Sequence, residues 1–169
     1  MSDKNIKTLV YSALFTALVT VATAYLKIPT AIGYLNLGDG FIFAAGVVLG
    51  PIAAVVGGIG SMIADLMAGY MIYAPITLLI KGCMGLMIGL AARSYSFSSV
   101  WKNALMFLAA EAVMVCGYFL FEAVVYGAAA AAGSVVPNLI QAAFGIAIGL
   151  ITAPALHRFF SLQKAHKQQ

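Results

Sequence analysis

The chain consists almost wholly of apolar runs too long, and too rarely broken by charge, for any water-soluble core. Leu9–Leu26, Ile52–Gly69, Pro75–Ala92, Asn103–Gly127 and Val135–Phe159 each approach or exceed the roughly 20 residues a helix needs to cross a hydrocarbon layer. Only 8% of the residues are charged, against roughly 25% in soluble domains. The runs do not alternate polar with apolar, as the strands of a membrane barrel must. The 169 residues leave room for about six short-looped helices and no separate soluble domain. The expected fold is an all-α membrane protein: six transmembrane helices in a single integral domain over residues 1–169, near 6–26, 39–50, 52–69, 75–92, 103–127 and 135–159.

Within that frame the constraining stretch is Gly57–Lys81. It places Asp65 deep in apolar sequence, bends through Gly69-Tyr70-Met71-Ile72-Tyr73-Ala74-Pro75, then places Lys81 inside the next run. Charges inside membrane-type sequence are costly and mark functional sites by default. Opposite charges flanking a tyrosine-rich turn resemble one wall of a polar pocket. The competing expectation is that Asp65 and Lys81 neutralise each other and clamp two helices.

Met1–Lys7 is polar. Ala22-Thr23-Ala24 resembles a signal-peptide cleavage site, but the apolar run continues past it and further spans follow, so Leu9–Leu26 is read as the first span. In it, Ala13 and Ala17 form a small-xxx-small pair that admits another helix closely, either a partner's or one of this chain's own. Lys27–Gly38 is expected to be a loop, since Pro29, Gly33, Asn36 and Gly38 break regular structure. Its Ile32, Tyr34 and Leu35 suit a cover over a cavity as well as a plain connector. Arg93–Lys102 is a polar loop, Ala128–Gly133 a small-residue linker, and Ser161–Gln169 a basic tail.

Charge placement sets the orientation. With the N-terminus cytoplasmic, Lys4, Lys7, Arg93, Lys102, Arg158, Lys164 and Lys167 fall inside and only Lys27 falls outside, which obeys the positive-inside rule. Six spans then put both termini in the cytoplasm of a cell-membrane protein. At 1.5 Å per residue, Lys81 lies roughly 9 Å below the outer start of its span. Asp65, Tyr70, Tyr73, Tyr118, Glu122, Tyr126, Asn138 and Gln141 all come out in the outer half, and Glu111 alone falls near mid-membrane. Polar groups gathered at one side describe an outward-open pocket. A pore or proton relay would spread them through the full thickness.

The candidate wall offers a carboxylate at Glu122, amides at Asn138 and Gln141 on one helix face, an ammonium at Lys81, and tyrosine rings. Amides donate and accept at once and tyrosines stack, so the wall suits a small heteroaromatic ring. Lys81 is placed to meet an anionic group on it and Glu122 a ring N–H. Each tyrosine has an alternative place in an interfacial belt. There is no G-x-x-x-x-G-K-[ST] phosphate loop and no catalytic constellation, and His157 and His166 fall at the cytoplasmic end, so the chain is not expected to be an enzyme. Cys83 and Cys116 imply neither a disulfide framework nor a metal site. No basic run suits nucleic acid.

Leu37-Gly38-Asp39-Gly40 through Gly50-Pro51, then Gly57-Gly58-Ile59-Gly60-Ser61, Asp65, Gly69-Tyr70, Ala74-Pro75 and Lys81-Gly82, resemble the substrate-binding S components of energy-coupling factor (ECF) vitamin transporters. The likeness covers nearly the whole chain. It looks closest to the riboflavin-transporter-like branch that includes the hydroxymethylpyrimidine and pyridoxine S components. The resemblance implies capture of a vitamin from outside, helped by the loop Lys27–Gly38. It implies association with a membrane scaffold, EcfT, and two cytoplasmic ATPases, EcfA and EcfA', which alone use ATP; no cofactor is expected in this chain. It places Ala13 and Ala17 on the scaffold contact. It implies substrate binding by Lys81, Tyr118, Glu122, Asn138 and Gln141 with Tyr73 and Tyr34, while Asp39 and Asp65 are structural or pocket-supporting. The remaining alternatives are a stand-alone secondary transporter, an S component for another vitamin such as riboflavin, and a ligand-free membrane scaffold.

Overall fold

Three helices of this chain end on glycines, Gly50, Gly69 and Gly127. In the computed structural model, residues 3–95 and 97–166 are described. They form α1 (Asp3–Tyr25), strands β1 (Lys27–Pro29) and β2 (Tyr34–Asn36), α2 (Gly38–Leu49), a 3-10 turn (Gly50–Ile52), α3 (Ala53–Ala68), α4 (Ala74–Ala91), α5 (Val100–Tyr126) and α6 (Ala128–His166). The side chains of Lys4 and Lys164, and all of Lys167, lie outside the described residues.

Among the described residues five helical stretches are long and apolar enough to cross a membrane, with Gly38–Ala68 counted as one stretch of 31 residues. That stretch is not straight. Gly50 takes φ +63 and Pro51 opens the 3-10 turn. A Cβ on Gly57 would lie 2.9 Å from the Ile42 side chain, whereas 15 residues of continuous helix span about 22 Å. α2 and α3 therefore fold back on each other. α3 closes on Gly69, a left-handed residue at φ +83, with Tyr70 N donating to Asp65 O (2.8 Å) and Gly69 N to Leu66 O (3.3 Å). This Schellman closure holds Asp65 in the last turn of α3, just before the Tyr70–Tyr73 turn.

Lipid supplies no hydrophobic drive between helices, so close packing must hold them. The α3–α4 seam shows this. A Cβ on Gly85 would overlap the Ala53 carbonyl, and one on Gly58 would lie 2.7 Å from Leu78 O. Backbone contact at that range is what sets Asp65 and Lys81 on one wall. α2 packs against α1, α3, α4 and α6 and is buried from Gly38 to Gly40 and from Ile42 to Gly46. Phe43 on α2 stacks on Phe107 of α5, centroids 4.6 Å apart.

Three expectations are corrected. Lys27–Gly38 is not a plain loop: β1 and β2 pair antiparallel, Lys27 opposite Asn36 and Pro29 opposite Tyr34. Ala128–Gly133 is not a linker but the first turns of α6, because an alanine run has the highest helix propensity of any. The chain after Ser161 also stays helical, to His166.

Candidate functional site

A cavity partly open to solvent lies where the C-terminal ends of α1, α3 and α5 meet the N-terminal ends of α4 and α6. The β1–β2 hairpin covers it. Lys81, Tyr118, Glu122, Asn138, Gln141, Tyr73 and Tyr34 all line it.

The hairpin is tied down at several points. Tyr34 Oη donates to Asp65 Oδ1 at 2.5 Å, and Tyr73 Oη to Ile32 O at 2.8 Å. Tyr70 Oη reaches Gly33 O at 3.4 Å, and its ring packs on Tyr34 with centroids 4.9 Å apart. Lys27 Nζ sits 5.0 Å over the Tyr34 ring. Burial first, then the Asp65 carboxylate, pushes the Tyr34 phenol above its ordinary range. Burial and then Glu122 do the same at Tyr73. Both phenols stay donors as a result.

Tyr73 is shared between cover and cavity, because its hydroxyl also lies 3.1 Å from Glu122 Oε1. One phenolic proton serves one acceptor at a time. When it goes to Ile32, Glu122 is open to a donor from the cavity. The other carboxylate oxygen, Oε2, accepts from Ser134 Oγ. Tyr118 is fixed by Thr77, hydroxyl to hydroxyl at 3.0 Å.

The floor is a buried polar chain across four elements. Asn36 of β2 donates to Gln141 Oε1 of α6 from its backbone N (2.8 Å) and its amide (3.2 Å). Gln141 Nε2 donates to Asp39 Oδ2 of α2 at 2.6 Å. Asp39 Oδ1 pairs with Lys81 of α4, whose ammonium also lies 5.7 Å from the Tyr118 ring centre. Lys81 and Glu111 are each only 1% exposed. The Glu111 carboxyl occupies the notch left by Gly145, against Asp39, and neither of its oxygens has a hydrogen-bond partner among the described residues.

The Asp65–Lys81 clamp is therefore corrected: Lys81 pairs with Asp39, and Asp65 serves the hairpin. Lys81 is likewise committed to a counter-ion rather than free for an anionic ligand, and Gln141 is engaged on both ends of its amide. Asn138 is half-buried with its amide unengaged among the described residues. Sequence reasoning missed Thr23, Ser61, Thr77 and Ser134, which also line the cavity. Ser61, Thr77 and Ser134 carried a signal, each standing four residues before a candidate (Asp65, Lys81 and Asn138) on the same helix face. Ala13 and Ala17 face outward from α1, beside exposed Leu14 and Leu18. Their small-residue spacing is not used for packing among the described residues.

The family model for the S component of the ECF-type riboflavin transporter matches residues 3–158. Two curated relatives are similar along most of the chain. A protein of Pyrococcus woesei, described only as an uncharacterized protein in a gap 3' region, is 36% identical over 134 residues, covering 78% of this chain and 88% of its own. The thiamine precursor transporter HmpT of Lactococcus lactis subsp. cremoris is 32% identical over 162 residues, covering 94% of this chain and 92% of its own.

Proposed function

The chain belongs to the ECF-type riboflavin transporter S-component family, and on that premise we propose that it is the subunit that captures a small vitamin or vitamin precursor. The favoured ligands are hydroxymethylpyrimidine, in keeping with the thiamine-precursor relative, and after it a B6 vitamer. The family and that relative are transporters, not enzymes. The observation that carries the reading is the covered cavity, with tyrosine rings and a Glu122–Asn138 edge set between a tied hairpin and a charge-paired floor.

In this reading the chain crosses the membrane six times. α2, about 18 Å long, is too short for a lone span and is tolerated because other helices enclose it. The positive-inside rule puts the cavity on the outer side and both termini in the cytoplasm. Inward delivery is driven by EcfT and the EcfA and EcfA' ATPases, which alone consume ATP. EcfT docks on the exposed α1 face that carries Ala13 and Ala17.

The test is calorimetry on the purified chain in detergent with hydroxymethylpyrimidine, pyridoxine, pyridoxamine, riboflavin, thiamine and pantothenate. One of the first three should bind with sub-micromolar Kd, about 8 kcal/mol or more. Glu122→Gln should weaken it at least tenfold with folding intact. Binding of riboflavin alone would move the ligand assignment to that vitamin. No binding by any member would refute the capture reading. Uptake by cells lacking all ECF ATPases would favour a stand-alone transporter.

A further inference from the structure

Most polar groups around the cavity are already paired, but one wall is not. Thr23 Oγ1 on α1, and Ser61 Oγ and Asp65 Oδ2 on α3, all belong to residues that line the cavity, and none has a hydrogen-bond partner among the described residues. These residues are 2%, 1% and 4% exposed. Buried polar atoms are normally satisfied, and each exception calls for an explanation. Ser61 and Asp65 share a helix face. Thr23 lies over Gly38, where any side chain would displace its hydroxyl. Thr77 reaches the Asp65 carboxylate from α4 as well as the Tyr118 hydroxyl at 3.0 Å, so its single proton serves one of them at a time. Tyr34 occupies only the other Asp65 oxygen.

We propose that this α1–α3 wall is a subsite for an amine: an exocyclic amino group, or a primary ammonium, carried by the heteroaromatic ligand. The inference rests on the cavity being the vitamin site, and it adds what that site selects. A carboxylate oxygen accepts only, and a hydroxyl accepts as well as donates. The wall therefore presents acceptors on three residues that line the same cavity. A ligand hydroxyl brings one proton to them, an amino group brings two, and an ammonium brings three. A ligand carbonyl or carboxylate would meet Asp65 with no proton to offer. The opposite edge, at Glu122 and Asn138, is left to read the rest of the ring.

The experiment uses the full chain and two matched ligand pairs that differ mainly at the amine: 4-amino-5-hydroxymethyl-2-methylpyrimidine against its 4-hydroxy analogue, and pyridoxamine against pyridoxine. A site built to hydrogen-bond a group rejects an analogue lacking it strongly, so the amine of the bound pair should win by roughly 10²-fold or more. Asp65→Asn should reduce that preference to a few-fold. Because Asp65 also holds Tyr34, Thr23→Val and Ser61→Ala are measured beside it. Each keeps the wall's shape, and each should lower the preference while the thermal melt is retained. Equal binding of the two members by the wild type would overturn the inference and leave the vitamin reading standing. So would an amine preference unchanged in all three variants. No binding by any of the four ligands would overturn the inference, and the vitamin reading with it when riboflavin, thiamine and pantothenate fail as well.

Discussion

Replacing Asp39 by Asn tests what anchors the floor of the cavity. The substitution keeps the shape of the side chain and removes the charge facing Lys81, which is 1% exposed. Stripping one partner from a buried ion pair costs about 3–5 kcal/mol, because the other charge remains uncompensated. The new amide also turns a donor toward Lys81 or toward Gln141 Nε2, which now donates at 2.6 Å. A buried donor left unmatched adds roughly 1–3 kcal/mol. The sum, about 4–8 kcal/mol, is comparable with the whole stability of many domains, about 5–15 kcal/mol.

Glu111 offers relief. Its carboxyl adjoins Asp39, interacts with Lys81 and has no hydrogen-bond partner among the described residues, so it can take over the ammonium when Asp39 is gone. Equilibrium unfolding in mixed micelles should show Asp39→Asn losing about 2–4 kcal/mol. Glu111→Gln alone should lose under about 1 kcal/mol. The double variant should lose at least about 1 kcal/mol more than the sum, within the range of couplings between residues in contact. Asp39→Asn with Lys81→Met, which removes both charges, should recover most of the loss. Strict additivity of the first pair would refute the takeover by Glu111. Loss of under about 1 kcal/mol for Asp39→Asn in either background would refute the ion pair as the anchor.

Three further outcomes follow from the geometry. Gly85→Leu should destabilise the protein by about 3 kcal/mol or more, beyond ordinary overpacking, because its Cβ would overlap the Ala53 carbonyl; the same unfolding assay reads it. Ala13→Trp, at an exposed position on α1, should leave ligand binding and the melting temperature unchanged while uptake in cells with the ECF module falls at least tenfold. The phenols of Tyr34 and Tyr73 are raised in the folded protein, so the hairpin's donor bonds persist below the ordinary tyrosine value of about 10 and are lost only as pH rises well above it. Absorbance titration of folded protein up to about pH 11 should therefore give the same phenolate amplitude for Tyr34→Phe as for the wild type.

Much of this protein was legible from residue order alone. Spans follow from apolar runs, because a bilayer demands length and internally satisfied backbone. The breaks follow from Gly50-Pro51 and Gly69, and α1, α4 and α5 were placed to within a few residues. Even the grouping of polar residues at one end was readable, because depth along a helix is simply rise per residue. The Ala128–Gly133 start of α6 was misread because small residues serve equally in linkers and in helices.

Rotation about each helix axis was not readable, and it decides the partners. α2 is apolar almost all round, so nothing in its sequence says which neighbour Asp39 faces; packing between α4 and α6 turns it to Lys81 and Gln141. Hydroxyls pose the same problem. Thr16 and Thr152 return their protons to carbonyls four residues back, as small polar residues in apolar helices commonly do. Thr23 looks no different in sequence, and the spacing of Ser61 to Asp65 says nothing of what its hydroxyl meets. Only the assembled bundle leaves their oxygens buried beside the cavity with no hydrogen-bond partner among the described residues, because a side chain's environment there is made by residues far away in the chain.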